Sequence, residues 1–386
     1  MNDLTRRIAI VLVLELATWT VVSGQIRNEP DACDSIADDG SVRFPLEPDL
    51  LRFEDGSSVD SPKDWDRRRQ ELVELIQHYE YGHLPPSPKA VRIENHQRKK
   101  VANAIEERMT LVIEASEELR MRMATYRPAD AGDRRLPVLV REEHALGHLE
   151  EMPQIMKRGY MFVEFAREDL AADRVDGPNP AFGAYPDHDW ATLAAWAWGA
   201  MRVMDYLETC DDVEQSHVGI VGHSRGGKTA LLAGALDQRF ALVAPNGSGC
   251  GGAGCFRIEE GDVETLEIIT RPNRFGYWFH PRLREFAGRE NELPIDQHFL
   301  KALVAPRALI CTDALEDEWA NPTGNRATSR AAQKVFDLLS ARHRNGLHFR
   351  EGGHDLTEKD WTAILDFADW HFRGKKPKTT TKFRQF

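Results

Sequence analysis

The serine at position 224 stands in Gly222-His-Ser-Arg-Gly226, a G-x-S-x-G spacing that places a nucleophile on a sharp turn between a strand and a helix. The glycines answer a steric need. On so tight a turn, a side chain two residues before or after the serine meets the neighbouring strand or helix. The turn leaves the hydroxyl exposed at a helix N-terminus, where free backbone N–H groups and the helix dipole stabilise negative charge growing on a substrate oxygen. Five residues alone are a weak signal in a chain with 28 glycines. Their context is stronger: His217-Val-Gly-Ile-Val221 is apolar and β-branched, and Ala230, Ala233 and Gly234 can pack a helix close to a sheet.

A serine hydroxyl is a poor nucleophile at neutral pH and needs a base within reach and a carboxylate to orient that base. In the chain order serine, acid, histidine, the base is His354, in Glu351-Gly-Gly-His-Asp-Leu-Thr357, a glycine-hinged loop before the last helix. Of the 14 histidines, His223 and His298 are the alternatives. His223 neighbours the nucleophile and points elsewhere; His298 precedes the strand expected to carry the acid. The loop after that strand reads Asp313-Ala-Leu-Glu-Asp-Glu-Trp-Ala-Asn-Pro322. Asp313, Glu316 and Asp317 all compete there, and residue type and position do not choose among them.

The rest of the chain reads as elements that hold these residues. Residues 64–84 carry Trp65, Leu72, Leu75, Ile76 and Tyr79 at helical spacing and stop at Gly82 and Pro85-Pro86. From 90 to 127, alternating segments such as 109–114 and 119–126 predict antiparallel strands with one wet face at the edge of a sheet. Apolar runs at 136–140, 160–165, 217–221, 240–244 and 307–312 then alternate with helical stretches at 152–158, 193–207, 326–342 and 357–372. That alternation implies an α/β fold with a mixed sheet, parallel in its second half. Residues 167–189, rich in Gly, Pro and Asp, are expected as a long surface loop, and 256–300 as an irregular insertion capping the pocket. Gly247-Ser-Gly-Cys-Gly-Gly-Ala-Gly254 lacks the order of a phosphate-binding loop and predicts close backbone packing beside the site.

With 50 Lys and Arg against 62 Asp and Glu, the net charge of −12 disfavours a nucleic-acid binder. Arg6-Arg7, an apolar stretch over 8–22 interrupted by Glu15, and Val22-Ser-Gly24 predict a signal peptide over 1–24, and hence export to the periplasm or outside the cell. No other segment is apolar enough to span a bilayer. Residues 25–60 are expected as an extended lead-in, 61–374 as the catalytic domain, and 375–386 as a basic disordered tail. An exported chain meets oxidising conditions, and its five cysteines (Cys33, Cys210, Cys250, Cys255, Cys311) leave at least one without an internal partner. Cys250 and Cys255 are the nearest pair, either bridged or two small buried thiols.

Six ordered stretches together carry a resemblance: Gly222-His-Ser-Arg-Gly-Gly-Lys228, Ser248-Gly-Cys-Gly-Gly-Ala253, Leu293-Pro-Ile-Asp-Gln-His298, Ala305-Pro-Arg307, Glu316-Asp-Glu-Trp-Ala-Asn-Pro322 and Gly352-Gly-His-Asp-Leu-Thr357. They resemble the glucuronoyl esterase family of carbohydrate esterases, particularly its bacterial members, from residue 64 to 372. The resemblance implies an α/β-hydrolase, a three-layer α/β/α sandwich. It also implies cleavage of esters between (4-O-methyl)glucuronic acid on xylan and lignin alcohols, with no cofactor or metal. The partner implied is a glucuronate-bearing polysaccharide or a small uronate ester.

The same resemblance assigns Arg225 to the oxyanion hole and Lys228 and Glu264 to sugar hydroxyls. The family's tryptophan two residues past the acid falls on Trp319, a sugar-packing residue, which selects Asp317 as the triad acid with Glu316 as fallback. Helix spacing agrees that Ser224 and Lys228 share a face. Two cations at a helix start oppose its dipole and need compensation, which a polar substrate would supply. There are two departures. Many members carry the triad glutamate at the position of Gly247, so the acid's role falls here wholly on the later loop. Val140-Arg-Glu-Glu-His-Ala-Leu-Gly147 also replaces a more neutral Asn- and Gly-bearing loop. The expected activity is an exported serine esterase. The alternatives are another exported carboxylesterase or acetyl xylan esterase on the same triad, and a carbohydrate-binding relative without turnover.

Overall fold

The strands of this computed structural model are β1 (Val91–Val101), β2 (Ala104–Ile113), β3 (Leu119–Pro128), β4 (Leu136–Glu143), β5 (Met161–Ala166), β6 (Val213–His223), β7 (Leu242–Asn246), β8 (Ala308–Ala314) and β9 (Asn345–Arg350). The structure describes residues 46–147, 152–259, 261–377 and 383. All nine strands join one sheet in the order β1-β2-β3-β5-β4-β6-β7-β8-β9. Pairing is antiparallel from β1 through β3 to β5 and parallel from β5 to β9.

The parallel strands are apolar on both faces because both faces are covered. Along β5, Met161, Val163 and Phe165 enter one core and Phe162 the other; along β8, Leu309 and Cys311 face the first and Ala308 and Ile310 the second. The first core is closed by helices Pro62–Ile76, Thr192–Leu207, Arg225–Leu236, His298–Val304 and Pro322–Leu338, the second by Met152–Lys157 and Glu358–Arg373. This is the expected three-layer α/β/α sandwich. The outermost strand is different in kind. β1 carries charged residues from Glu94 to Lys100 and is held by its antiparallel ladder and by ion pairs such as Lys99 to the buried Glu106 at 2.7 Å.

Several expectations shift. The first helix stops at Ile76 and continues as a π-turn, Gln77–Tyr81, to Gly82. The helix expected over 326–342 is Pro322–Leu338, because Asn321 caps it early, accepting from the Gly324 N–H at 2.8 Å. The loop over 167–189 is only partly superficial, since Leu170, Ala171 and Ala172 are buried. Of the lead-in, residues 46–60 are packed: Leu50, Phe53 and Val59 belong to the main core. Cys210, Cys250, Cys255 and Cys311 are free thiols, so Cys250 and Cys255 take the buried-thiol alternative, with Cys255 donating to Asp296 Oδ2 at 3.0 Å. The signal segment, residues 25–45, Cys33 and nearly all of the tail lie outside the described residues. Among those described, no helix is long and apolar enough to cross a membrane.

Candidate active site

The candidate triad and the turn at Gly247 lie just past the carboxyl ends of parallel strands, where open α/β sheets build their sites. Ser224 follows β6, Gly247 follows β7, Asp317 follows β8 and His354 follows β9. The elbow is as tight as its spacing predicts. Ser224 takes φ +56° and ψ −123°, a region L-residues avoid. A Cβ on Gly222 would lie 1.9 Å from the Gly226 carbonyl oxygen, and one on Gly226 would lie 2.5 Å from Glu142 Oε1. The helix Arg225–Leu236 starts at once, so Ser224 sits where its backbone N–H groups converge.

The Ser224 N–H donates to the Asn246 carbonyl at 2.9 Å, fixing the elbow against the end of β7. The next residue, Gly247, is the point where the His354 ring packs: a Cβ there would stand 3.5 Å from His354 Nδ1. Nucleophile and base thus flank one turn. His354 Nδ1 donates to Asp317 Oδ2 at 2.6 Å, which leaves Nε2 with its lone pair. That bond raises the histidine's pKa above its ordinary value, because Asp317 stabilises the imidazolium more than burial opposes it. Asp317 is itself buried and accepts from the Ala320 N–H at 3.4 Å.

The other candidates separate physically. Asp313 is buried and accepts from the Gly247 N–H at 2.9 Å and from Asn325; burial pushes its carboxyl up to about 7, and it makes no bond to His354. Glu316 is exposed. His223 donates toward Asn246 Oδ1 at 2.6 Å, and burial pulls its pKa down to about 4, so the ring 4.7 Å from His354 stays neutral. His298 is buried and bonded to the Pro48 carbonyl. Gly247 has φ +50°, and a Cβ on it would stand beside His354 Nδ1, the nitrogen that already donates to Asp317.

Arg225 is about one-third exposed; its Nη1 donates to Asp173 Oδ2 at 2.7 Å and its guanidinium lies 4.9 Å from the Trp278 ring centre. Asp173 was hidden in the expected surface loop, yet it also accepts from Arg167, Tyr277 and Trp278. Burial pushes its carboxyl up, but the Trp278 hydrogen bond and the guanidiniums of Arg225 and Arg167 outweigh that and hold it below the usual value. Glu142, near the carboxyl end of β4 where a neutral loop was the family expectation, accepts from Arg167 at 2.8 Å beneath the elbow. Lys228 points the other way. Buried to 2% exposure, its ammonium donates to the Ser248 and Cys250 carbonyls and to Glu264 Oε2 at 2.6, 2.5 and 2.6 Å. The compensation expected from substrate is therefore supplied by the protein itself. Glu264 and Trp319 are joined through the backbone, Glu264 N–H to Trp319 carbonyl at 3.1 Å. Asp173, Tyr277 and Trp278 had no local sequence signal, because their contacts span up to 105 residues; Glu142 stood out only as an unexpected charge.

A strained serine elbow with a histidine–carboxylate pair, at the carboxyl ends of a mostly parallel nine-stranded sheet, defines an α/β-hydrolase. The family profile described as "Glucuronyl esterase, fungi" matches residues 110–340. A carbohydrate esterase from an unknown prokaryotic organism is 30% identical, the match covering 95% of this chain and 98% of that one. The 4-O-methyl-glucuronoyl methylesterase of Podospora anserina is 32% identical over 76% of this chain and 60% of its own. Among solved structures, a CE15 glucuronoyl esterase from Caldicellulosiruptor kristjansonii superposes with a TM-score of 0.78 at 31% identity, covering 89% of this chain and 95% of that one. A promiscuous CE15 esterase from a marine bacterial metagenome gives 0.77 at 30%, covering 86% and 99%. The chain belongs to the glucuronoyl esterase family of carbohydrate esterases and is a carboxylic ester hydrolase.

Proposed function

We propose that this protein is an exported serine esterase that hydrolyses (4-O-methyl)glucuronoyl esters linking xylan to lignin alcohols. The carrying observation is the His354–Asp317 bond at 2.6 Å, with His354 and Ser224 on either side of the turn at Gly247, in a glucuronoyl esterase family chain. Ser224 Oγ attacks the ester carbonyl while His354 Nε2 takes its proton, and Asp317 holds the imidazolium that results. The tetrahedral oxyanion meets N–H groups of the elbow helix and the Arg225 guanidinium, which has donors beyond the one given to Asp173. His354 then protonates the leaving alcohol, and water, deprotonated by the same nitrogen, releases the uronic acid and Ser224. Glu264 Oε1, unbonded among the described residues, accepts from a sugar hydroxyl; Lys228 anchors its other oxygen, and Trp319 packs the sugar ring. Arg6-Arg7 and the apolar stretch that follows support export.

Broader carboxylesterase activity is the second reading, favoured by the 30% identity to the esterase described as promiscuous. Alcohol release from benzyl glucuronate, benzyl galacturonate and an aryl acetate separates the two. Selective glucuronate hydrolysis that falls by roughly 10⁴-fold or more in Ser224→Ala is the expected result. Comparable rates on all three esters support the broad reading, and no turnover on any would sink both.

A further inference from the structure

Away from the serine, the end of the first helix gathers a second set of chemically marked groups. Glu74 and His78 are four residues apart and leave the same helical face, His78 from within the π-turn Gln77–Tyr81. The chain then reverses at Gly82, which has φ +75°, and a Cβ there would lie 2.2 Å from the Asp189 carbonyl oxygen. Only glycine allows that approach, and the reversal carries His83 back beside Glu74 and His78. One donor atom from each of Glu74, His78 and His83 falls within 4.8 Å of the others.

Asp189 makes this more than a cluster. Its Oδ1 accepts from the His83 backbone N–H at 2.8 Å and faces His83 Nδ1 at 3.0 Å. That contact keeps the proton on Nδ1 and turns the Nε2 lone pair toward Glu74 Oε1, 3.1 Å away. A carboxylate behind the far nitrogen of a histidine is the usual support of a metal-binding imidazole. The gap between Nε2 and Oε1 is close to the roughly 3.3 Å edge of a tetrahedron with zinc bonds of about 2.0–2.1 Å. Asp189 Oδ2 is occupied by Arg282 at 3.1 Å, with His280 at 3.5 Å, so Asp189 supports the site rather than competing as a ligand.

We propose that Glu74, His78 and His83 form a surface site for a borderline divalent transition ion, Zn²⁺ in the first instance, completed by solvent. Two imidazoles and one carboxylate suit such an ion and not the all-oxygen preference of Ca²⁺ or Mg²⁺. The ion ties the end of the first helix to Asp189 and, through it, to the segment carrying Arg282. That segment also holds Tyr277 and Trp278, the donors to Asp173. The competing reading is a simple ion pair between a protonated His83 and its two carboxylates.

The test uses the full chain without a histidine tag, stripped with EDTA and titrated with ZnCl₂ by calorimetry at pH 8, with Co²⁺ absorption as a second readout. One equivalent of Zn²⁺ is expected, with a tetrahedral or five-coordinate Co²⁺ spectrum and a rise in Tm. Binding weakens at least tenfold in Glu74→Gln and is lost in His83→Gln, while Asp189→Asn weakens it about 10–100-fold. His144→Gln, on an exposed side chain remote in sequence, leaves it unchanged. Glu74 is exposed, so its variant folds even where others do not. Failure to bind stoichiometrically, or equal binding and equal Tm gain in wild type and Glu74→Gln, overturns the site. Neither readout depends on esterase turnover.

Discussion

Arg225 and Lys228 leave the same helix three residues apart and meet opposite surroundings. Arg225 keeps about a third of its side chain in solvent, gives one nitrogen to Asp173 and rests its face on Trp278. Lys228 is sealed in, with its three hydrogens directed at three protein acceptors. An ammonium has three donors and a guanidinium five, so the first is saturated and the second is not. The difference separates two jobs that charge alone would merge. Arg225 keeps donors free beyond Asp173, whereas Lys228 organises the glycine-rich turn and anchors Glu264. Neither job can be read from the helix spacing that places both side chains near Ser224.

The largest effect comes from the acid that both cations presuppose. Asp317→Asn should lower kcat by about 10⁴-fold with Arg225 and Lys228 in place, since an amide stabilises the wrong imidazole tautomer and no imidazolium. The pH dependence has a definite sign. Asp317 raises the His354 pKa, and the base works only when neutral, so kcat/KM rises with pH through that raised value. Removing the carboxylate moves the acid limb to lower pH. Stability runs the opposite way: a raised folded pKa adds stability fully present below about 6.5 and lost as pH climbs through the folded value. Paired pH–rate and thermal melts check both; an unmoved acid limb in the variant removes His354 as the base.

Lys228→Met comes next and is a stability effect. It leaves Glu264 buried without its counter-ion and two carbonyls without donors, a loss of about 3–5 kcal/mol in urea unfolding. Adding Glu264→Gln should recover part of it. Arg225→Ala should do the reverse, cutting kcat by about 10²–10³-fold with little change in KM or unfolding free energy. Equal stability losses in the two variants would erase the contrast between the cations.

How much of this was legible follows from how far each constraint reaches along the chain. The elbow wrote itself into the sequence because a 1.9 Å clash with the Gly226 backbone carbonyl demands Gly222, while a side chain at 226 would displace the Glu142 carboxylate. β4 to β8 were legible because burial on both faces demands continuous apolar runs. β1 was legible only as part of an antiparallel stretch over 90–127 and not as a strand with its own bounds, since its Glu94 to Lys100 stretch is held by backbone pairing and charge. The acid could not be chosen from residue types, because Asp313, Glu316 and Asp317 are three carboxylates of one stretch that only the fold separates by burial and direction; resemblance to a family chose Asp317, and the 2.6 Å bond agrees. Asp173 left no trace at all. Its partners lie at Arg167, Arg225, Tyr277 and Trp278, and only folding brings them together. Lys228 was expected to look into the pocket with Ser224, but its ammonium is sealed against Ser248, Cys250 and Glu264, acceptors brought there by a chain path the sequence does not specify.

The smallest expected effect lies where the two surroundings meet. Rings and guanidiniums stack from Arg225 to Trp278, from Trp278 to Phe275 at 4.3 Å, from Phe275 to Arg274 at 4.7 Å, and from Arg274 to Trp319 at 5.3 Å. This ladder runs from the Arg225 side to the Lys228 side, because the Trp319 carbonyl holds the Glu264 backbone. Arg274 is its exposed rung. An exposed cation–π contact is worth about 0.5–1 kcal/mol, so Arg274→Ala should change KM by roughly two- to fivefold. Arg274→Lys should recover little of it, since an ammonium cannot lie flat on two rings. If Arg274 only braces Trp319, the change is the same for every ester that Trp319 packs. If its open face touches the alcohol, KM rises for benzyl esters and not for methyl esters, and that ratio decides between them.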